Sequence, residues 1–498
     1  MRPTFLFFSL LVTVNLIFTA GECFGQSEKL PQTIHSRIEK TAREIRTDPL
    51  LQHGQWSCTV LDIAAEKPLL KINSEKSMAP ASNLKLFTSA AALTYFGKDY
   101  RFSTRVGYSG EISNGVLSGN LVIVGGGDPT LGSVMVKKVA GYQQILQKFA
   151  GAVRQAGIRK INGKIIVGVS FFDPFAIPDG WLWVDIGNYY GAGPSAFCFH
   201  DNLYYLYFKP AKFVSGPAAV VGTEPKIPGL VFRNFMKTGP VGSGDHGYIY
   251  GGAGGNIRIL RGTIPAGVKK FSIKGSVPNP ALLFVRLLRQ QILQLGIEVA
   301  GKDSISREAV HFDKEIFHHQ SPPLSEIIYW LNKKSINLYA EVLLKHLGAA
   351  EFKIGNFASG LKALKMFLTK QGISLDGSNL IDGSGLSPQN RITTMQMARL
   401  LKKMAQGAYF KEFYRSLPIA GSRSDDGNLA YFCRRSAAAN NVRVKTGFID
   451  RVRAHSGYVK TKSGKLLCFS MIANDFPGAM RGIDKLHEKL LIALAEMR

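Results

Sequence analysis

Pro80-Ala81-Ser82-Asn83-Leu84-Lys85 runs on into Leu86-Phe87-Thr88-Ser89-Ala90-Ala91-Ala92-Leu93. This stretch reads as the start of a helix. Pro80 and Ser82 are entry-type residues, and Leu84, Phe87, Ala91 and Ala92 recur at close to helical spacing. Ser82 and Lys85 are three apart, so they share a face one turn from each other. That spacing brings an amine within reach of a hydroxyl. A buried lysine that sheds its charge can act as a base toward a neighbouring nucleophile. A lone Ser-x-x-Lys is common on solvated surfaces, so its meaning depends on what the rest of the chain supplies.

Working outward, the order before this stretch is helix, then two strands. Residues 26–50 are charged and helical, with Ile34, Ile38 and Ile45 on one side. Trp56–Ile63 and Lys67–Asn73 have strand character. The far end of the chain mirrors this. Val442–Ile449, Ala454–Thr461 and Lys465–Ala473 read as strands, with Ser463-Gly464 as a hairpin turn, and Met480–Met497 closes as an amphipathic helix. The two ends together predict one antiparallel sheet flanked by helices. Between them, Pro280–Leu295, Pro322–Leu347, Asn356–Gln371 and Arg391–Met404 read as helices, the later ones forming a helical lobe. From Arg101 the texture is different: short strands, frequent glycine and an aromatic block, Trp181-Leu182-Trp183-Val184-Asp185, followed by Tyr189-Tyr190. Gly125-Gly126-Gly127-Asp128-Pro129 lacks the Gly-Lys-Ser/Thr ending of a phosphate loop and reads as a structural turn.

Two further clusters stand at positions that suit Ser82 and Lys85. Ser335-Ile336-Asn337 interrupts the apolar pattern of the helical lobe. Lys445-Thr446-Gly447 lies on a terminal strand, followed by Phe448. Each is common alone; the three in this order are specific to serine acyl-enzymes. Ser82 would attack a carbonyl, with Lys85 as base. Ser335 would relay the proton to the leaving amine, and Asn337 would bind the substrate amide. Lys445 would depress the pKa of Lys85 and attract a substrate carboxylate, which Thr446 would hold. Gly447 would allow close approach to the strand edge. The amides of Ser82 and Phe448 would form the oxyanion hole.

These motifs resemble the class C low-molecular-mass penicillin-binding D-alanyl-D-alanine carboxypeptidases, the serine peptidase S13 family. Gly180-Trp181-Leu182-Trp183-Val184-Asp185, Asp382-Gly383-Ser384-Gly385-Leu386-Ser387, Ile419-Ala420-Gly421 and Gly457-Tyr458-Val459 are similar too. The resemblance implies an α+β fold: a penicillin-binding transpeptidase/β-lactamase-like domain, with a five-stranded antiparallel sheet, a helical lobe and β-rich inserted domains. Residues 26–100 with 302–498 would be the discontinuous catalytic domain, and 101–301 the insertion, read as two subdomains. It implies D,D-carboxypeptidase action on peptidoglycan stem peptides, a D,D-endopeptidase action beside it, and acylation by β-lactams. Asp185 and Tyr190 match cleft-facing positions that contact the substrate side chain, an acidic residue there suiting a stem with a free amine. Two departures stand out. Phe448 replaces the usual Thr or Ser, and Gly421-Ser422-Arg423-Ser424-Asp425-Asp426-Gly427 is longer than the family's turn.

Composition bounds the rest. The chain has 498 residues and a net charge of +27, from 62 Lys and Arg against 35 Asp and Glu. Met1-Arg2-Pro3, the apolar Thr4–Ala20 and small residues to Gly25 form a signal-peptide pattern, so residues 1–25 are expected to be removed and the protein exported to the periplasm or cell envelope. An exported basic protein suits an anionic envelope surface, and no nucleic-acid-binding motif is present. Cys58, Cys198, Cys433 and Cys468 lack metal spacing and are expected as buried thiols, a disulfide being the alternative. No metal or cofactor is called for. Two other readings compete. One is a β-lactamase or esterase on the same fold, disfavoured by the lack of a Glu-x-x-x-Asn after Ser335. The other is a non-catalytic wall-binding scaffold.

Overall fold

The computed structural model describes residues 32–498, so the expected signal segment lies outside the described residues. Strands Arg443–Ile449, Val452–Lys460, Leu466–Asn474, Gln55–Asp62 and Pro68–Ile72 form one five-stranded sheet in that order. Every pairing in it is antiparallel. The two ends of the chain therefore meet in one antiparallel sheet, as their strand-like runs predict. Gln55–Asp62 pairs along its full length with Leu466–Asn474, and both are buried on both faces. Helices Gln32–Arg46 and Met480–Ala495 cover one face. Their apolar residues, including Ile38, Ile45, Leu490 and Leu494, share a core with Trp56 and Phe469.

The helical lobe covers the other face. Helix Lys85–Phe96 runs through its middle, and every residue from Asn83 to Leu93 is buried. The apolar spacing around Leu84 and Phe87 thus marks a helix surrounded by protein, not one with a wet face. Pro322–Leu347 is not one helix. It divides into Leu324–Lys334 and Asn337–Phe352, and the break is Ser335, which takes the left-handed conformation at φ 57° and ψ 45°. Non-glycine residues adopt that region at a cost of about 1–2 kcal/mol. The corner falls at the end of the polar run Lys333-Lys334-Ser335.

The inserted region holds a seven-stranded sheet built on Ser103–Ser113 and Val116–Gly125, and two smaller sheets of four and three strands. Helices Tyr142–Gln155 and Pro280–Gln294 pack on it through Phe149 and Phe284, whose ring centroids are 5.4 Å apart. The first of these helices was not legible among the glycine-rich strands. Strand Lys314–Gln320 pairs with Ser103–Ser113, and Ser304–Ser306 with Ile165–Gly168. The sheet therefore continues past residue 301, where the sequence places the return to the catalytic domain. The four cysteines considered above are buried thiols.

Candidate active site

Ser82 sits on a short 3-10 turn, Ala81–Leu84, that feeds helix Lys85–Phe96. It is half-buried, whereas Lys85 is wholly buried. Lys85 Nζ lies 2.9 Å from Ser82 Oγ, 2.5 Å from Asn337 Oδ1 and 2.7 Å from the Ser384 carbonyl. Three acceptors surround the amine, as many as its ammonium form has protons; in the neutral form two N–H groups satisfy the carbonyl oxygens and the lone pair faces the serine hydroxyl. Burial, working against the attraction of Asp382 and Glu341, brings the Lys85 pKa down to about 7.

Lys445 Nζ donates to Ser335 Oγ at 2.8 Å and to the Thr446 carbonyl at 2.7 Å. The left-handed corner at Ser335 is what turns its hydroxyl toward that amine. Lys445 is buried, and its pKa is pushed well down, first by desolvation and then by repulsion from Lys85 and Arg453. This revises one expectation from the sequence. Desolvation, not Lys445, is the first cause of the low Lys85 pKa, and the repulsion between the two amines registers on Lys445. Gly447 packs directly on the serine turn: a Cβ there would fall 2.6 Å from the Pro80 carbonyl and 3.1 Å from Ser82 N. Any side chain would push strand and turn apart. Thr446 is half-buried, and Phe448 is 50% exposed, opposite Arg453 in the ladder. The structure thus gathers Ser82, Lys85, Ser335, Asn337, Lys445, Thr446, Gly447 and Phe448 at one end of the strand Arg443–Ile449.

Asp185 and Tyr190 come from the insertion, on the short helix Trp183–Ile186 and the turn Tyr189–Gly191. Burial raises the Asp185 carboxyl, and the neighbouring Tyr190 hydroxyl works against that rise. The Tyr190 backbone reaches the motif residues, since Asn337 Nδ2 donates to its carbonyl at 2.8 Å. Trp181 is buried and donates from Nε1 to Asp382 Oδ2 at 2.9 Å, whereas Trp183 is exposed and packs on Tyr250.

A layer beneath the serine was not singled out from the sequence. Glu341, one turn along the helix from Asn337, is fully buried and accepts from the amides of Gly383 and Ser384 at 2.9 and 2.8 Å. Burial and the neighbouring Asp382 raise its pKa to about 8. Asp382 accepts from Gly385 N, Ser387 N and Asn390 Nδ2 at 2.7, 2.7 and 2.9 Å, in addition to Trp181. These carboxylates fix the Asp382–Ser387 loop, whose Ser384 carbonyl holds Lys85. The signal was present: Glu341 is a lone acid between Ala340 and Val342-Leu343-Leu344, and such residues are buried only with partners. The longer loop after Ala420 is tied by a buried ion pair between Lys333 and Asp425, and by Asp426, which is 2.6 Å from Lys137 of the insertion. Among the described residues, no group of three or more His, Cys, Asp or Glu is placed to hold a metal.

A sheet closed by both chain ends, with a serine-lysine helix entering the helical lobe, is the fold of a penicillin-binding protein. The chain belongs to the D-Ala-D-Ala carboxypeptidase 3 (S13) family, which it matches over residues 38–490. It is a serine-type D-Ala-D-Ala carboxypeptidase by that membership. It is 30% identical over 487 residues to the D-alanyl-D-alanine carboxypeptidase of Actinomadura sp. (strain R39), covering 94% of this chain and 87% of the relative. Its fold matches the crystal structure of penicillin binding protein 4 (DacB) from Haemophilus influenzae with a TM-score of 0.76, at 24% identity, covering 91% of this chain and 97% of that one. The same Haemophilus protein complexed with a β-lactam matches with a TM-score of 0.71, at 23% identity, covering 91% and 98%.

Proposed function

We propose that Ser82 is the nucleophile that attacks the D-Ala-D-Ala carbonyl of a peptidoglycan stem peptide, with Lys85 as its general base. The observation that carries this reading is the contact between nucleophile and base: a wholly buried amine, its pKa brought down to about 7, stands 2.9 Å from Ser82 Oγ. With the stem peptide bound, the amine, neutral beforehand, takes the Ser82 proton as Oγ bonds to the carbonyl carbon. The resulting oxyanion is held by the amides of Ser82 and Phe448. The proton then passes through Ser335 to the departing D-alanine nitrogen, and Asn337 holds the substrate amide. The terminal carboxylate of the substrate meets Lys445 and Thr446. Its arrival favours the protonated form of Lys445, since an opposite charge stabilises a cation. Water then cleaves the acyl-enzyme on Ser82 and regenerates the serine. A β-lactam, entering with its own carboxylate, acylates Ser82 by the same route.

Asp185 receives the amine of a diaminopimelate-type stem, with Tyr190 beside it, and Phe448 leaves the carboxylate one hydroxyl contact short. A cross-linked side-chain amine as leaving group makes the same site a D,D-endopeptidase. The protein acts in the periplasm or cell envelope after loss of residues 1–25, with its basic surface toward anionic material. Strand pairing supports an insertion that spans residues 101 to about 320. The test is release of D-alanine from a pentapeptide together with covalent labelling by penicillin. Both are expected for the wild type and absent in Ser82→Ala. A folded wild type that shows neither refutes the reading.

A further inference from the structure

One end of the small inserted sheets is both apolar and basic. Strand Lys237–Gly239 pairs with Ile257–Pro265 and organises three loops there. The amide of Ser215 donates to the Thr238 carbonyl at 2.7 Å, and that of Thr238 to Gly216 at 2.8 Å, which pins loop 211–216. The Ala266 amide donates to the Gly239 carbonyl at 3.1 Å, and a Cβ on Gly267 would touch Val241 at 3.3 Å, which places loops 239–243 and 266–270 side by side. The tips carry Phe213, Val214, Val241 and Val268, exposed by 66, 54, 78 and 42%. Lys212, Lys269 and Lys270 flank them on the surface, the last over the Tyr207 ring at 3.6 Å. Residues 203–275 contain ten Lys and Arg against two acids, Glu224 and Asp245. On the neighbouring strand His246–Tyr250, which pairs with Ile257–Pro265, Tyr250 and Ile249 meet Trp183 and Asn188.

Exposed phenylalanine and valine on loop tips within a lysine rim are costly in water unless something covers them. A phosphate-rich polymer would use the lysines and leave the apolar tips wet. A lipid surface uses both, since apolar side chains enter the headgroup boundary and basic ones meet lipid phosphates. We propose that this end of the insertion docks on an anionic membrane surface through Phe213, Val214, Val241 and Val268, with Lys212, Lys269 and Lys270 on the phosphates. The proposal rests on the envelope location inferred above.

The full chain is sedimented with vesicles of phosphatidylglycerol and phosphatidylcholine, and with phosphatidylcholine alone. Binding to the mixed vesicles alone is expected, and Lys269→Gln with Lys270→Gln should lower it about thirtyfold, at the usual value of a basic residue near an anionic surface. Phe213→Trp reports on the tip directly. Its added emission, above that of the four native tryptophans, should shift to the blue and be quenched by lipids brominated on their chains. Failure of the wild type to sediment with the anionic vesicles overturns the proposal, as does unquenched emission from Phe213→Trp. Binding that the lysine substitutions leave unchanged also overturns it. Penicillin labelling of the same samples separates the two inferences: a protein that docks without labelling keeps the membrane surface and loses the proposed reaction.

Discussion

The catalytic domain and the insertion both bury charged groups, but they put them to different ends. In the catalytic domain Lys85, Lys445, Glu341 and Asp382 are all buried and converge beneath one half-exposed hydroxyl. In the insertion, buried charge and polarity face the helical lobe. Asp201 accepts from Tyr339 Oη and Ser133 Oγ, both at 2.7 Å. Asp173 pairs with Lys345 at 2.6 Å, and the Gly127 carbonyl lies 3.0 Å from His346 Nε2. Buried polar groups without partners are expensive, so one set reads as reaction machinery and the other as a clamp. Helix Asn337–Phe352 belongs to both. It presents Asn337 to Lys85 and Glu341 to the Gly383 and Ser384 amides, and Tyr339, Lys345 and His346 to the insertion. The lesson is that the inserted region is braced against the helix that carries part of the site.

That contrast can be broken at several points, the largest effect first. Lys85→Met should lower the rate of acylation by about a thousandfold, the usual worth of a positioned base, and should cost about 1–3 kcal/mol of stability because it leaves the Asn337 and Ser384 oxygens without their donor. A folded variant that acylates at the wild-type rate would make Lys85 a structural residue. Next comes pH. The base must be neutral, so kcat/KM for acylation should rise with pH through about 7 and lie roughly a hundredfold lower two pH units below that point. A profile flat from pH 5 to 8 would assign the proton to another group. Phe448→Thr should raise acylation by carboxylate-bearing substrates about tenfold, the scale of one added hydrogen bond to a charged group. No change would show that the carboxylate does not reach residue 448. Trp181→Phe removes the indole donor from Asp382 and should cost about 1 kcal/mol of stability, measured by urea unfolding. Because Asp382 anchors the loop whose Ser384 carbonyl holds Lys85, acylation by that variant should fall severalfold, and a wild-type rate would show that this contact from the insertion does not bear on the site.

The two regions also differed in how much could be read in advance. The sheet formed by both chain ends was legible because its strands are short runs rich in strand-forming residues, its turns are short and its motifs come in order. The site was legible for a related reason: Ser82 and Lys85 are local on the chain, and Ser335, Asn337 and Lys445 interrupt apolar runs. Three things were not legible. The left-handed corner at Ser335 looks like continuous helix in a run of good helix formers, since only tertiary packing decides to spend the strain. Helix Tyr142–Gln155 lay within a glycine-rich texture that suggested strands throughout. The insertion's sheet closes with Lys314–Gln320, a pairing between residues about two hundred positions apart, which no local pattern encodes. Glu341 fell between these cases: its isolation in an apolar helix was visible, but its partners, the amides of Gly383 and Ser384, come from a distant loop.

The central claim is that Ser82 carries the acyl group. The direct measurement is the mass of the protein after brief exposure to penicillin, followed by digestion and identification of the modified peptide. The account predicts one added penicillin on the peptide that contains Ser82, formed by the wild type and not by Ser82→Ala. An adduct on any other residue, or a folded wild type that gains no mass, would contradict it.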